Sequence, residues 1–253
     1  MPGMDPAVLR DDMVEGLEYS LDEPLDPEVT RAMRTVPRHV FLDAAAYENR
    51  ATEAYGTRVL APKTAAQLLD ALAVDEGDDV LVVGAGIGYT VAVVAELAGD
   101  RHVHAVDIDR QVVSAARSNL ESAGYGDVLV DRRDGADGLP EYAPYDRILL
   151  EAAVVRPPNA LLEQLTPEGT IVFPRGMGSQ QIVVGERDRS APDGYHVLDE
   201  YGFVQLGPLL AKGERRNGPA RNRTVREDAE IREQGYFAPS GWEYEWVDWE
   251  EQL

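Results

Sequence analysis

Hydrophobic positions along the chain change their period near residue 75. Before it, Met13 and Leu17, then Val29, Met33 and Val36, recur three or four residues apart, the spacing that lines apolar side chains along one helix face. Asp26-Pro27 marks a helix start, with Asp26 as N-cap and Pro27, which needs no amide partner, at the first helical position. From 79 to about 210, short β-branched runs take over: Val80–Val83, His102–Asp107, Val128–Asp131, Arg147–Leu150, Thr170–Phe173 and Gln181–Gly185. Helical stretches Thr90–Ala98, Asp109–Ala123 and Pro158–Gln164 fall between them. Strands separated by a helix's length of chain pair in parallel, because the crossover returns the chain to the end it left. The pattern predicts an α/β fold with a doubly wound, mostly parallel sheet, N-terminal helices before it and a C-terminal extension after it. Tyr195–Leu210 holds two strand-like pieces with no helix between them, which predicts a terminal antiparallel pair.

The pattern breaks again after Leu210. Residues 212–226 hold Lys212, Arg215, Arg216, Arg221, Arg223 and Arg226 against one acid, Glu214. Residues 227–253 turn acidic and contain all three tryptophans, Trp242, Trp246 and Trp249. Three regions follow: 1–74, mainly helical; 75–210, the α/β domain; and 211–253, an Arg-rich linker with an acidic aromatic extension. The extension is expected to cover the core or to form a self-association surface; the oligomeric state stays open.

Charge adds a constraint that hydropathy does not carry. The 253 residues include 24 Lys+Arg and 46 Asp+Glu, a formal charge of −22, and only Lys63 and Lys212 are lysines. Such a balance suits a halophile's cytoplasm, where at about 1 M salt a Debye length of roughly 3 Å screens the self-repulsion. It argues against nucleic acid as partner, since phosphate backbones need a basic face. No cysteine is present, which excludes disulfides and thiolate chemistry. No apolar run is long enough to span a membrane as a helix, and the first residues are acidic and amphipathic, unlike a signal peptide. His39, His102, His104 and His196 lack metal-ligand spacing, so no metal is expected; His102 and His104 are expected to share one strand face.

The sharpest local signal is Asp79-Val-Leu-Val-Val-Gly-Ala-Gly-Ile-Gly-Tyr-Thr90, a buried strand that runs into Gly84, Gly86 and Gly88 and then a helix. Glycines let the backbone turn tightly and approach a ligand that faces helix-terminal amides. Asp107, at the end of the next strand and 19 residues after Gly88, stands where an acid grips ribose hydroxyls. The glycine spacing alone leaves the nucleotide open. It resembles motif I of the S-adenosylmethionine methyltransferases, and Arg133-Asp134-Gly135 follows the third strand where that superfamily has an acid for the adenine amino group. By that resemblance Gly84, Gly86 and Gly88 cradle the methionine part, Asp107 holds the ribose, and Asp134 with Gly135 faces the adenine.

Further segments resemble one family within that superfamily. Met13-Val-Glu-Gly-Leu17, Val29 to Leu42 with its Val36-Pro-Arg-His-Val-Phe41 core, Ala46-Tyr-Glu-Asn-Arg50, Leu139 to Ile148, Leu161-Leu-Glu-Gln-Leu165, Gly169 to Pro174 and Phe203 to Leu209 are similar, in order, to segments of the protein-L-isoaspartate O-methyltransferases. The resemblance covers roughly residues 8–210. It implies a carboxyl methyltransferase that uses S-adenosyl-L-methionine and acts on isoaspartyl peptides or proteins, so that the methyl ester leaves more easily in succinimide closure, the start of repair. It also places the substrate loop at Tyr55 to Pro62, with Thr57, Arg58, Val59 and Pro62 as substrate-binding candidates. Leu60 falls at the position of the family's serine and Arg58 at that of its threonine. A leucine cannot donate to a carboxylate, whereas Arg58 can do so bidentately; these two are the positions on which catalysis is expected to turn. The alternative is a cofactor-binding paralogue without repair activity, acting as sensor or adaptor or on another substrate.

The charge reading has a direct check. Thermal stability should climb steeply from low salt to molar KCl; a melting temperature indifferent to KCl would remove the halophile assignment.

Overall fold

A computed structural model describes residues 5–210 apart from 22, 43, 44 and 177, so the Arg-rich stretch and the aromatic extension lie outside the described residues. The first two helices, α1 (Pro6–Ser20) and α2 (Pro27–Thr35), start alike. Asp5 Oδ1 accepts from the Ala7 amide at 2.9 Å and Asp26 Oδ1 from Glu28 at 2.6 Å, each with proline at the first helical position. Their buried faces, Met13, Val14 and Leu17, then Val29, Ala32 and Met33, follow the predicted spacing.

A hairpin absent from the sequence expectation comes next: β1 (Thr52–Ala54) pairs antiparallel with β2 (Thr57–Val59). Tyr55 (φ 51°) and Gly56 (φ 73°) both take positive φ, the two-residue turn whose twist suits a hairpin. Strands of three residues are too short to show an alternating pattern.

The remaining elements are α3 (Pro62–Leu72), β3 (Val80–Val83), α4 (Tyr89–Ala98), β4 (Val103–Asp107), α5 (Arg110–Ala123), β5 (Leu129–Arg132), β6 (Tyr145–Leu150), α6 (Asn159–Glu163), β7 (Leu165–Arg175), β8 (Gln180–Arg187) and β9 (Tyr195–Val204). They build a seven-stranded sheet of order β5-β4-β3-β6-β7-β8-β9, parallel from β5 to β7 and antiparallel across β7-β8 and β8-β9. The predicted antiparallel pair inside Tyr195–Leu210 is therefore corrected: β9 is one strand, and its partner is β8. Chain length explains this, since residues 188–194 alone connect β8 to β9, too few for a parallel crossover. His102 is also corrected. It sits in a 3-10 turn before β4, with Nδ1 2.9 Å from Asp79 Oδ1, while His104 lies within β4 against the Tyr142 ring, so the two do not share a strand face.

Alternation along the central strands feeds two cores. Val80, Val82, Ala105 and Leu149 pack beneath α1 to α5, and Leu81, Val83, Val106, Ile148 and Leu150 pack against Leu139, Leu161 and Leu162 on the other face. Each such buried side chain contributes about 1.5–3 kcal/mol relative to exposure. The helices are thus unevenly shared between the faces.

Among the described residues buried with the first group, one carries a charge. Arg38, in the 3-10 turn Arg38–Val40, is 2% exposed. Its Nε donates to Ala46 O at 2.7 Å and its second terminal nitrogen to Leu60 O at 2.6 Å, while the guanidinium lies 4.3 Å from the Tyr89 ring centroid. Arg38→Met should keep the packing but orphan both carbonyls, and denaturant titration in molar KCl should show a loss of about 2–5 kcal/mol; a loss under about 0.5 kcal/mol would mean that water replaces the guanidinium.

Candidate active site

The chain runs from β3 outward to β4 and β5, then crosses back to β6 on the other side of β3. Such a reversal leaves a crevice outside the carboxyl ends of the two central strands. A cavity of about 340 Å³ occupies it, of the size that takes a small ligand. Its floor comes from Val83, Gly84 and Gly86 after β3, Val106 to Ile108 at β4, Gly135 after β5, and Glu151 with Ala152 after β6. Its rim comes from Glu53, Gly56, Thr57 and Arg58 of the hairpin and from residues 205–210 after β9. The last segment is held by Ala153, whose amide donates to Gly207 O at 2.8 Å and whose carbonyl accepts from Leu209 at 3.0 Å.

The three glycines of the loop divide their work. Gly84, Gly86 and Gly88 all have positive φ, at 94°, 52° and 92°. Gly86 faces the cavity, with Gly84 O at 3.9 Å as the nearest obstacle to an added Cβ. Gly88 does not line it; a Cβ there would stand 3.2 Å from Leu120 and 3.3 Å from Ala116 O, so its smallness lets α4 approach α5. Asp107 Oδ2 accepts from the Gly86 amide at 3.2 Å and Oδ1 from Asp109 at 3.0 Å. A carboxylate has about four acceptor sites, so ribose hydroxyls can join these amides. Gly135 borders the cavity because its backbone presses on Val83, where a Cβ would meet Cγ1 at 2.5 Å. Asp134 stands beside it and caps the short turn by accepting from Ala136 at 3.0 Å; it is not among the cavity-lining residues.

The substrate-loop candidates separate likewise. Thr57 and Arg58 reach the cavity, Arg58 as the exposed residue of β2 opposite Glu53 of β1. Val59 and Leu60 turn inward to a pocket of about 10 Å³ with Arg38, Tyr89 and Glu151. Pro62 is the buried first residue of α3.

Sequence reasoning missed Glu151 and Glu53. Glu151 had a signal, a single acid at the end of the apolar run Ile148-Leu-Leu150. Burial pushes its carboxyl up to about 7; the Thr90 hydroxyl works against this, the Asp107 charge adds to it, and the Arg38 guanidinium opposes it.

A glycine loop at the switch point, an acid closing the next strand and a close-approach glycine after the third define a nucleoside-cofactor site of the S-adenosyl-L-methionine-dependent methyltransferase class, and the residues present fit that cofactor. The family model for Protein-L-isoaspartate(D-aspartate) O-methyltransferase matches residues 18–209. Over 193 residues the chain is 39% identical to the protein-L-isoaspartate O-methyltransferase of Methanococcoides burtonii, covering 74% of this chain and 94% of that one. It is 40% identical to the enzyme of that name from Methanosarcina mazei over 210 residues, 81% of this chain and 84% of that one. In structure it is similar to a Plasmodium falciparum protein provisionally given the same activity and solved with S-adenosyl-L-homocysteine, with a TM-score of 0.66 at 17% identity, covering 79% of this chain and 98% of that one. The chain belongs to the protein-L-isoaspartate O-methyltransferase family.

Calorimetry with S-adenosylhomocysteine tests the cofactor site. Asp107→Ala should weaken binding by about 1–3 kcal/mol, the cost of ribose hydroxyls left without an acceptor; unchanged affinity would remove Asp107 from the site.

Proposed function

We propose that the chain transfers a methyl group to the α-carboxylate of L-isoaspartyl residues in damaged proteins, with Gly84, Gly86, Asp107, Asp134 and Gly135 on the cofactor and the hairpin on the substrate. The observation that supports this reading is the hairpin edge: Thr57 and Arg58 border the cavity, so a peptide held there could reach it without entering it whole. The cofactor supplies a methyl group on a sulfonium, which a carboxylate can attack directly. A carboxylate with its usual pKa near 4 is ionised at neutral pH, so the chain needs no general base. What remains is orientation and exclusion of water. The apolar side chains of Val83, Val106, Leu206 and Leu209 line the cavity and would exclude water once substrate covers the mouth, leaving near-attack geometry to supply most of the rate.

Leu60 offers no hydroxyl, and its own carbonyl is committed to Arg38. Arg58 is exposed and lines the rim of the cavity. The −22 charge supports a salt-rich cytoplasm as the place of work.

Transfer of labelled methyl to an isoaspartyl peptide, beside its aspartyl twin, in molar KCl tests the reading. Only the isoaspartyl form should be labelled, and Arg58→Ala should cut kcat/KM by about 10²-fold, as expected of a charge-assisted contact. Equal labelling of both peptides, or of neither while the cofactor product still binds, would overturn the substrate assignment; a silent Arg58→Ala would move Arg58 out of the site.

A further inference from the structure

Glu151 has no part in that account. Its amide donates to Val83 O at 2.8 Å, which fixes it beside the central strand. Its Cβ lies 3.3 Å from where a Cβ on Gly84 would stand, so the side chain begins at the first glycine of the loop. It borders both the main cavity and the small pocket that holds Leu60. Glu151 Oε1 is buried and has no hydrogen-bond partner. Among the described residues no ion pair involves it. Such surroundings favour the neutral form of a carboxyl, and a neutral carboxyl is a hydrogen-bond donor.

We propose that the protonated Glu151 carboxyl, on the floor of the main cavity, donates the hydrogen bond that positions the isoaspartyl carboxylate, a contact that Leu60 cannot make. The proposal rests on the substrate reading above.

The charges around Glu151 favour this form. Asp107 faces it from β4, Thr90 and Tyr89 from α4, and Arg38 from the 3-10 turn, with Glu53 and Arg58 across the cavity on the hairpin. Arg38 is engaged with Ala46 O and Leu60 O rather than paired to Glu151. An incoming carboxylate makes ionisation of Glu151 still harder, because two carboxyl groups that share one site hold a proton between them. Neutrality also matters to the chemistry. An ionised Glu151 would be a second carboxylate beside the methyl donor, repelling the acceptor and competing with it. In the step itself the acceptor oxygen bonds to the methyl carbon while the carbon–sulfur bond breaks and leaves its electron pair on sulfur. Glu151 keeps its proton from start to finish.

The sign with pH follows. With the carboxyl titrating at about 7, the donor form is present below that value and is lost as pH rises through it. The decline falls on substrate binding, because the acceptor is already ionised throughout this range.

The test is KM and kcat for an N-acetylated, histidine-free isoaspartyl peptide from pH 5.5 to 9 in molar KCl at saturating S-adenosylmethionine. Label is counted in both the ester and released methanol, because the ester hydrolyses faster in base. Wild type should show KM rising towards tenfold per pH unit above about 7, with kcat changing little. Glu151→Gln, a neutral donor at every pH, should hold KM near the wild-type acidic value and flatten the profile. Glu151→Leu, which cannot donate, should show a KM that is flat with pH and about 10- to 100-fold above the wild-type acidic value, so that the two converge in base. Calorimetric binding of S-adenosylhomocysteine confirms that each variant is folded. A Gln variant that keeps the wild-type pH dependence, or a Leu variant whose KM matches wild type below pH 7, overturns the role of Glu151 while leaving the substrate reading in place. Cofactor binding with no isoaspartyl methylation by any variant at any pH overturns the substrate reading and this inference with it.

Discussion

A buried guanidinium joins the parts of this molecule that have no β-ladder between them. Arg38 comes from the N-terminal helical region, yet its two hydrogen bonds end on Ala46 and on Leu60, just past the hairpin, and its cationic face rests on Tyr89 at the start of α4. Its side chain is almost wholly out of solvent, and this burial lowers its pKa from the usual arginine value. A dry guanidinium is tolerated only where fixed acceptors surround it. Those acceptors are backbone carbonyls, so the interaction specifies chain path as well as charge. The position of the hairpin over the cavity rests on it.

The cavity follows from sheet topology rather than from any single residue. Once β3 runs outward to β5 and the chain returns at β6, the carboxyl ends of the two central strands part, and the glycines after β3 keep the space open. This much was legible in the sequence, because four-residue apolar strands, a glycine loop and an acid at fixed distance are local signals. The helix starts at Asp26 and Asp109 were legible for the same reason, each an acid whose side chain accepts from the first helical amides.

What escaped sequence reading depended on non-local contacts. The hairpin has no propensity signal in Thr52–Ala54; its turn needs positive φ at Tyr55, a residue that rarely takes it, and only the packed surroundings make that conformation acceptable. Gly88 sits against α5, and spacing alone cannot tell a glycine that admits a ligand from one that admits a helix. A different difficulty concerned Leu60 and Glu151, nearly a hundred residues apart in sequence. One was noticed for what it lacks and the other not at all, although they border the same pocket.

The electrostatics of the chain and of its site therefore belong to different regimes. Over most of the surface, 46 acids against 24 cations repel one another through solvent that salt can screen. At roughly 3 Å of Debye length in about 1 M salt, no such surface can steer an anionic substrate toward or away from the cavity. Recognition of a carboxylate must then rest on contacts too close and too dry for ions to enter. The cavity supplies two of opposite kind, an exposed arginine on the rim and a buried carboxyl on the floor. In the roles proposed for them, the first would act by charge and would weaken as salt rises. The second would act by desolvation, which added salt leaves intact, so the buried group would keep its hold on a substrate under conditions that erode the arginine's.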